Sequence, residues 1–377
     1  MTQASIDDTA PAPEMPGPLQ TRLVEVARRF VGRRPDRIER LGRGLINDTF
    51  HVQTDQGRFV LQRINTKVFP APERIMDNLV RLQGALETRA DTPVRLPHVL
   101  LADDGRPWAR DEAGSFWRML ELIEGSRTVP RLEHPGQARE VGRILGDFHR
   151  FAATLEPADF AVTLPNFHVT PVYLDALRQA DADAGPERRG AEVDAALAII
   201  DRHAELVHSI EDARQLGRIA ERVVHGDPKL DNILFDQAGE RALCLIDLDT
   251  IQPGLPHHDI GDCLRSCCNR SGKAADADAV RFDLETCRAI LDAYAQHTRG
   301  VLDATEIGLL YEAIRLIPFE LALRFLTDHL RGDRYFRVST PGENLRKARV
   351  QLALLADIER KSSAIEQIIA DAFGGAG

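Results

Sequence analysis

The reading of this chain turns on Val223-Val224-His225-Gly226-Asp227-Pro228-Lys229-Leu230-Asp231-Asn232-Ile233-Leu234-Phe235, followed after a short polar break by Leu245-Ile246-Asp247-Leu248-Asp249-Thr250. Ile233–Phe235 and Ala242–Leu248 are short apolar runs bounded by turn formers, which predicts a small β-hairpin. Asp227 stands five residues before Asn232, and Asp247 ends the second run. Phosphoryl transfer to an alcohol needs groups of this kind. One carboxylate orients the hydroxyl and takes its proton, and hard oxygen ligands hold magnesium on the β- and γ-phosphates. Asp227 is the candidate for the first task; Asn232, Asp247 and Asp249 are the candidate metal ligands. Taken singly, Asp and Asn are ordinary turn residues. The whole set, His-Gly-Asp-x-x-x-x-Asn and then Ile-Asp-x-Asp, is what points to chemistry. His225 reads as a structural imidazole bonding backbone beside this loop.

Working outward, residues 1–18 hold four prolines, Pro11, Pro13, Pro16 and Pro18, among small and acidic residues, and are expected to be a disordered tail. Residues 19–120 read as a small α+β lobe. It opens with an amphipathic helix around Leu23, Val26, Ala27 and Phe30. Strands at 49–53 and 58–64 are joined at Asp55-Gln56-Gly57, a helix runs over 75–86, and a strand lies at 115–123. Residues 121–126 are the expected hinge. From 127 to 377 the pattern is mainly helical, with helices near 141–151, 171–187, 190–216, 259–270, 278–297, 303–330 and 341–371.

Glycine in the second position of His225-Gly226-Asp227 resembles the aminoglycoside phosphotransferase and choline kinase superfamily, which implies a two-lobed, protein-kinase-like α+β fold with a small β-rich N-lobe and a mainly helical C-lobe. The resemblance extends to Asp259-Ile260-Gly261-Asp262, where the acidic residues read as structural, at a helix start. Five stretches look like the N-acetylhexosamine 1-kinases. They are Gly44-Leu45-Ile46-Asn47-Asp48-Thr49-Phe50, Leu61-Gln62-Arg63-Ile64-Asn65, Lys229-Leu230-Asp231-Asn232, Ile246-Asp247-Leu248-Asp249-Thr250 and Leu323–Phe336. The likeness runs from about residue 38 to about 355. It implies ATP and Mg2+ as cosubstrate and cofactor, an N-acetylhexosamine as acceptor, and Arg324, Tyr335 and Arg265 as residues lining the sugar site beside Asp227. Arg324 as a surface ion pair and Tyr335 as a core aromatic are the competing structural readings.

On the nucleotide side, Gly44, Asn47 and Thr49 lie in and just after a glycine turn that would admit phosphates. The strand that follows should present a cation to them. The sequence offers Gln62 where many relatives carry lysine or arginine, and Arg63 next to it points to the opposite face unless a bulge intervenes. Glu121 and Ile123 fall on the segment that resembles the adenine-reading hinge. Trp117 reads as core.

Composition sets the outer limits. The 377 residues are 43% hydrophobic and 28% charged with a net charge of -10, which suits a folded globular protein and supplies no dominant basic surface for nucleic acid. No apolar run approaches a membrane span and no leader pattern is visible, so a cytoplasmic enzyme with a small-molecule partner and no membrane association is expected. Five cysteines, Cys244, Cys263, Cys267, Cys268 and Cys287, read as buried thiols in preference to a zinc site with His257 and His258. Two rivals stand beside the hexosamine reading. One is a kinase of the same superfamily acting on another sugar, an amino alcohol or an aminoglycoside. The other is a pseudokinase binding module. An arginine in the acceptor pocket disfavours ammonium acceptors, and intact Asp227, Asn232 and Asp247 disfavour a dead enzyme.

Overall fold

The computed structural model describes residues 17–42, 46–89, 94–271 and 276–374. In chain order the first elements are α1 (Gly17–Val31), β1 (Arg37–Arg40), β2 (Asp48–Thr54), β3 (Gly57–Arg63), α2 (Pro72–Glu87), β4 (Ala109–Arg110), β5 (Phe116–Glu121) and β6 (Ser126–Arg127). Then come α3 (Pro135–Ala152), α4 (Thr170–Asp183), α5 (Ala191–Arg202), α6 (Glu211–Gln215), β7 (Arg222–Val224), β8 (Ile233–Asp236), β9 (Ala242–Leu245) and β10 (Gln252–Gly254). Helices complete the chain: α7 (Pro256–Cys267), α8 (Leu284–His297), α9 (Ala304–Gly308), α10 (Leu310–Leu330), α11 (Glu343–Arg360) and α12 (Ser362–Gly374). The protein is α+β, an N-terminal antiparallel sheet followed by a mainly helical part, as the sequence pattern predicts.

Contacts group the chain into two compact units, neither contiguous in sequence. The first takes in the chain up to Pro130 together with Leu155–Leu164 and Asp231–Pro253; the second comprises Arg131–Thr154, Pro165–Leu230 and the chain from Gly254 onward. The expected tail falls mostly on residues outside the described ones, while Gly17 and Pro18 already begin α1.

The first unit is built on a five-stranded sheet of order β1-β2-β3-β5-β4. The hairpin β2–β3 closes at Thr54↔Gly57, where the Thr54 hydroxyl accepts from the Gln56 N–H at 3.1 Å and donates to the Gly57 carbonyl at 3.2 Å. One sheet face buries Phe50, Val52, Leu61, Trp117 and Met119 with Leu23, Val26 and Ala27 of α1. Period-two alternation therefore sends Gln62, Arg118 and Leu120 to the other face. The hairpin β8–β9 packs Leu234, Cys244 and Ile246 against Ile123.

The second unit is held by helices that approach closely. On α3, a Cβ at Gly142 would come within 2.1 Å of the Ile290 carbonyl oxygen, and one at Gly146 within 2.8 Å of the His297 Cβ, so only glycine lets α3 lie this near α8. α10 is buried along most of its length, with Pro318 inside it, and anchors a core of Leu316, Phe319, Leu323 and Leu326 with α4, α5 and α11. The single helix expected over 341–371 is two, broken at Lys361, and the 190–216 helix is α5, a 3-10 turn and α6. All five cysteines are buried free thiols, and burial pushes Cys244 and Cys268 up, away from reactivity.

Candidate active site

In the first unit the sheet face opposite α1 opens onto a recess walled by Leu41, Val60, Leu79, Leu120, Ile123, Ile246 and Leu248. Thr49, Gln62, Arg118, Glu121 and Asp247 supply its polar positions. The register fixes which side chains enter. Gln62 pairs with Thr49 on one side and Arg118 on the other, with no slip along β3. Gln62 is therefore the inward residue. It is buried, donates to the Thr49 hydroxyl at 3.2 Å and accepts from Arg118 Nε at 2.8 Å. Arg63 lies on the opposite face, where its guanidinium pairs with Asp48 and sits over the Trp117 ring.

Asp247 follows β9 with φ of +65°, a left-handed backbone that a non-glycine residue adopts only when its surroundings hold it there. The result turns its side chain position into the recess. Asn232 is fully buried, and its carbonyl accepts from the Ile246 N–H at 2.9 Å, tying the end of the loop to the hairpin. Asp249 is also buried, but its carboxylate is taken up by Arg118 in an ion pair and by Asn47 Nδ2 at 2.6 Å. Burial raises the Asp249 carboxyl and Asp247 adds to the rise, with Arg118 opposing both. Asn47 spends its other end accepting from the Asn65 N–H at 2.9 Å, so it braces the strand ends. Gly44 lies outside the described residues.

The second unit carries Asp227. Gly226 before it has φ of +83°, which explains glycine in the second position of the motif. The loop is clamped from beneath. Asp259 of α7, fully buried, accepts from the His225 N–H and the Gly226 N–H at 2.8 Å each, and meets His149 Nε2 at 3.0 Å. Asp259 therefore lies inside the first turn of α7 and serves the loop, in place of capping its own helix. His225 is buried and its Nδ1 accepts from the Asp227 N–H at 3.2 Å, a structural imidazole. Above the loop, His168 Nε2 meets the Gly226 carbonyl at 3.0 Å and its Nδ1 meets Glu320 at 3.0 Å. Burial pushes the Asp227 carboxyl up, but the Lys229 ammonium bonded to it outweighs this and holds it below the usual carboxylate range.

Arg324 follows Glu320 by one turn on α10 and is 15% exposed, which removes the surface ion-pair reading. Its guanidinium lies 5.2 Å from the Tyr173 ring centre, 5.5 Å from Phe167 and 5.7 Å from Phe336. Glu320 stands 3.8 Å away, and Arg324 makes no hydrogen bond among the described residues. Burial disfavours its charge, and Tyr173, Glu320, Tyr335 and Asp227 together keep it protonated. Tyr335 is 42% exposed and edge-on to Phe336, so it is no core aromatic. The segment bearing both rings is gathered by Asp328, which accepts from the N–H groups of Arg334, Tyr335 and Phe336 at 2.8–2.9 Å. Arg265 is paired with Asp262 one turn back on α7. Sequence reasoning missed Arg118, Phe167, Tyr173, His168 and Glu320; only strand register and helix packing bring them to these places.

This fold and these residues define a small-molecule phosphotransferase. The chain belongs to the phosphotransferase enzyme family APH, whose model matches residues 37–296. Solved structures share the fold at low identity. A microcompartment-associated aminopropanol kinase superposes with a TM-score of 0.62 at 17% identity, covering 88% of this chain and 93% of its own. An ethanolamine kinase of Plasmodium vivax gives 0.56 at 13% identity, covering 86% and 84%. A spectinomycin phosphotransferase in complex with ADP and its antibiotic gives 0.56 at 10% identity, covering 90% and 98%.

Proposed function

We propose that the protein is a magnesium- and ATP-dependent sugar kinase that phosphorylates the anomeric hydroxyl of an N-acetylhexosamine. The observation that carries the acceptor class is Arg324, a largely covered cation ringed by Phe167, Tyr173 and Phe336 with no hydrogen bond among the described residues. Such a site repels an ammonium and suits a neutral ring rich in oxygen acceptors. Aromatic faces suit the apolar side of a sugar ring, and Tyr335 adds an exposed hydroxyl. Asp227, ionised at neutral pH, orients the 1-hydroxyl and accepts its proton.

On the nucleotide side the apolar walls of the recess suit a purine, with Glu121 and Ile123 among its lining residues. Asn232 and Asp247 would hold magnesium. The donors fit a hard cation, an amide oxygen and a carboxylate, with Asp249 already committed to Arg118 and Asn47. When bound, that ion neutralises phosphate charge as the γ-phosphoryl group departs.

The test is an acceptor panel with Mg-ATP: N-acetylglucosamine, N-acetylgalactosamine, glucose, choline, ethanolamine, aminopropanol and an aminoglycoside. A sugar 1-phosphate is expected, identified by coupling of phosphorus to the anomeric carbon. Phosphate on O6, or turnover confined to the ammonium acceptors, would sink the hexosamine reading and leave the kinase reading standing. Nucleotide binding without turnover on any acceptor would favour a binding module.

A further inference from the structure

The geometry points to Arg118 as the cation that takes the α- and β-phosphates of the bound nucleotide, displaced by one strand from position 62. This rests on the nucleotide reading of the recess. A phosphate-bearing pocket of this class needs a cation on its sheet face, and β3 does not supply one: Gln62 is inward and neutral, while Arg63 is outward and paired with Asp48. On β5, Arg118 lies directly opposite Gln62 in the register and so shares its face of the sheet. It lines the recess together with Thr49 and Asp247.

The guanidinium is 1% exposed and held in a fixed pose by two of its three nitrogens. Nε donates to Gln62 Oε1 at 2.8 Å, and Nη2 pairs with Asp249. Nη1 is buried and has no hydrogen-bond partner among the described residues. Asp249 turns its second oxygen to Asn47, at 2.6 Å, so the carboxylate does not take both ends of the fork, and Nη1 is left without a partner among the described residues in a side chain that lines the recess. Gln62, Asp249 and Asn47 thus act as positioning residues that aim a planar donor, and a planar donor suits phosphate oxygens better than a lysine does.

Titration calorimetry with adenosine and with ADP, both in EDTA, separates this role from that of the metal ligands. Wild-type protein should bind ADP more tightly than adenosine. In Arg118→Gln the affinity for ADP should fall about 10- to 100-fold, with adenosine within about twofold of wild type. Adding Gln62→Lys to that variant should recover most of the ADP affinity, because the charge returns to the same face. Where Arg118→Gln does not fold, Arg118→Gln with Asp249→Asn removes both charges of the buried pair at nearly constant shape and should show the same selective loss. An ADP advantage that survives in either variant, or adenosine falling in step with ADP, would overturn the assignment. Wild-type protein that binds neither ligand would overturn the nucleotide reading itself, and this assignment with it.

Discussion

Lys229, two residues along the chain, holds the Asp227 carboxyl below the usual carboxylate range, its ammonium outweighing the upward push of burial. In the proposed role a base already deprotonated is ready to accept the acceptor's proton, and Asp227→Asn keeps the shape while removing that capacity. Turnover should fall by roughly 10²-fold or more, with KM for ATP nearly unchanged and the melting temperature preserved. Near-normal turnover at saturating substrates would remove Asp227 from the chemistry. On the proposed sugar reading, Arg324→Leu should act differently, raising KM for the acceptor far more than KM for ATP, because only the acceptor would lose a donor; Arg324→Lys restores charge without the planar fork and should rescue little. At this scale the sequence was informative where the candidate residues are contiguous. Asp227, Asn232 and Asp247 lie within 21 residues and announce themselves by spacing. Arg118 sits alone inside the apolar run Phe116–Leu120, and nothing local distinguishes it from a solvated strand residue. Its partners, Gln62 and Asp249, become visible only through the β3–β5 register and the turn after β9.

Among the elements, α10 does the most to shape the second unit's polar cluster. Glu320, Arg324 and Asp328 recur every four residues and form one stripe: the first meets His168 and Thr170, the second is ringed by aromatics, and the third gathers the Tyr335 segment. The sequence showed a long apolar helix here; it did not show that this stripe faces inward, because the helix is apolar on nearly all sides. Burial pushes Glu320 up, but His168 and Arg324 outweigh it and hold the carboxyl at about 2, against an ordinary 4.5. Its stabilising share is therefore present above about pH 4.5 and lost as pH falls towards 2. Burial lowers His168, and Glu320 more than reverses this, so the same pair is fully formed below the ordinary 6.5 and weakens as pH rises through the raised value. The two limbs describe one interaction. Glu320→Gln should cost about 3 kcal/mol by urea unfolding, with the gap to wild type widest between about pH 4.5 and 6.5 and closing on either side. A gap that does not change with pH would mean that the hydrogen bonds matter and the charges do not.

At the scale of the whole molecule, the sequence places a hinge at 121–126, whereas the first compact unit also takes in Leu155–Leu164 and Asp231–Pro253. Those later segments complete the unit's interior. Asn78 of α2 donates to the carbonyls of Ala161 and Ile251, both at 2.8 Å. Ile123 packs on Leu234, Cys244 and Ile246. Asp249 is the only carboxylate paired with the buried Arg118 among the described residues. Periodicity along the chain reports each segment's own pattern and is blind to a partner a hundred residues away, which is why the elements were legible and their grouping was not. The consequence is testable by cutting the chain. A fragment spanning residues 17–126 retains the sheet and α1 but loses every one of these partners. It takes the Asp249 carboxylate from Arg118 and uncovers Ile123 and the other apolar groups that those segments bury, a loss of several kcal/mol. That is a large share of the roughly 5–15 kcal/mol by which whole domains are stable. The fragment should therefore lack a cooperative urea transition and show poorly dispersed amide resonances. A sharp transition with native-like amide dispersion in the fragment would mean that the sheet is self-sufficient and that Asp249 contributes to the site without contributing to the fold.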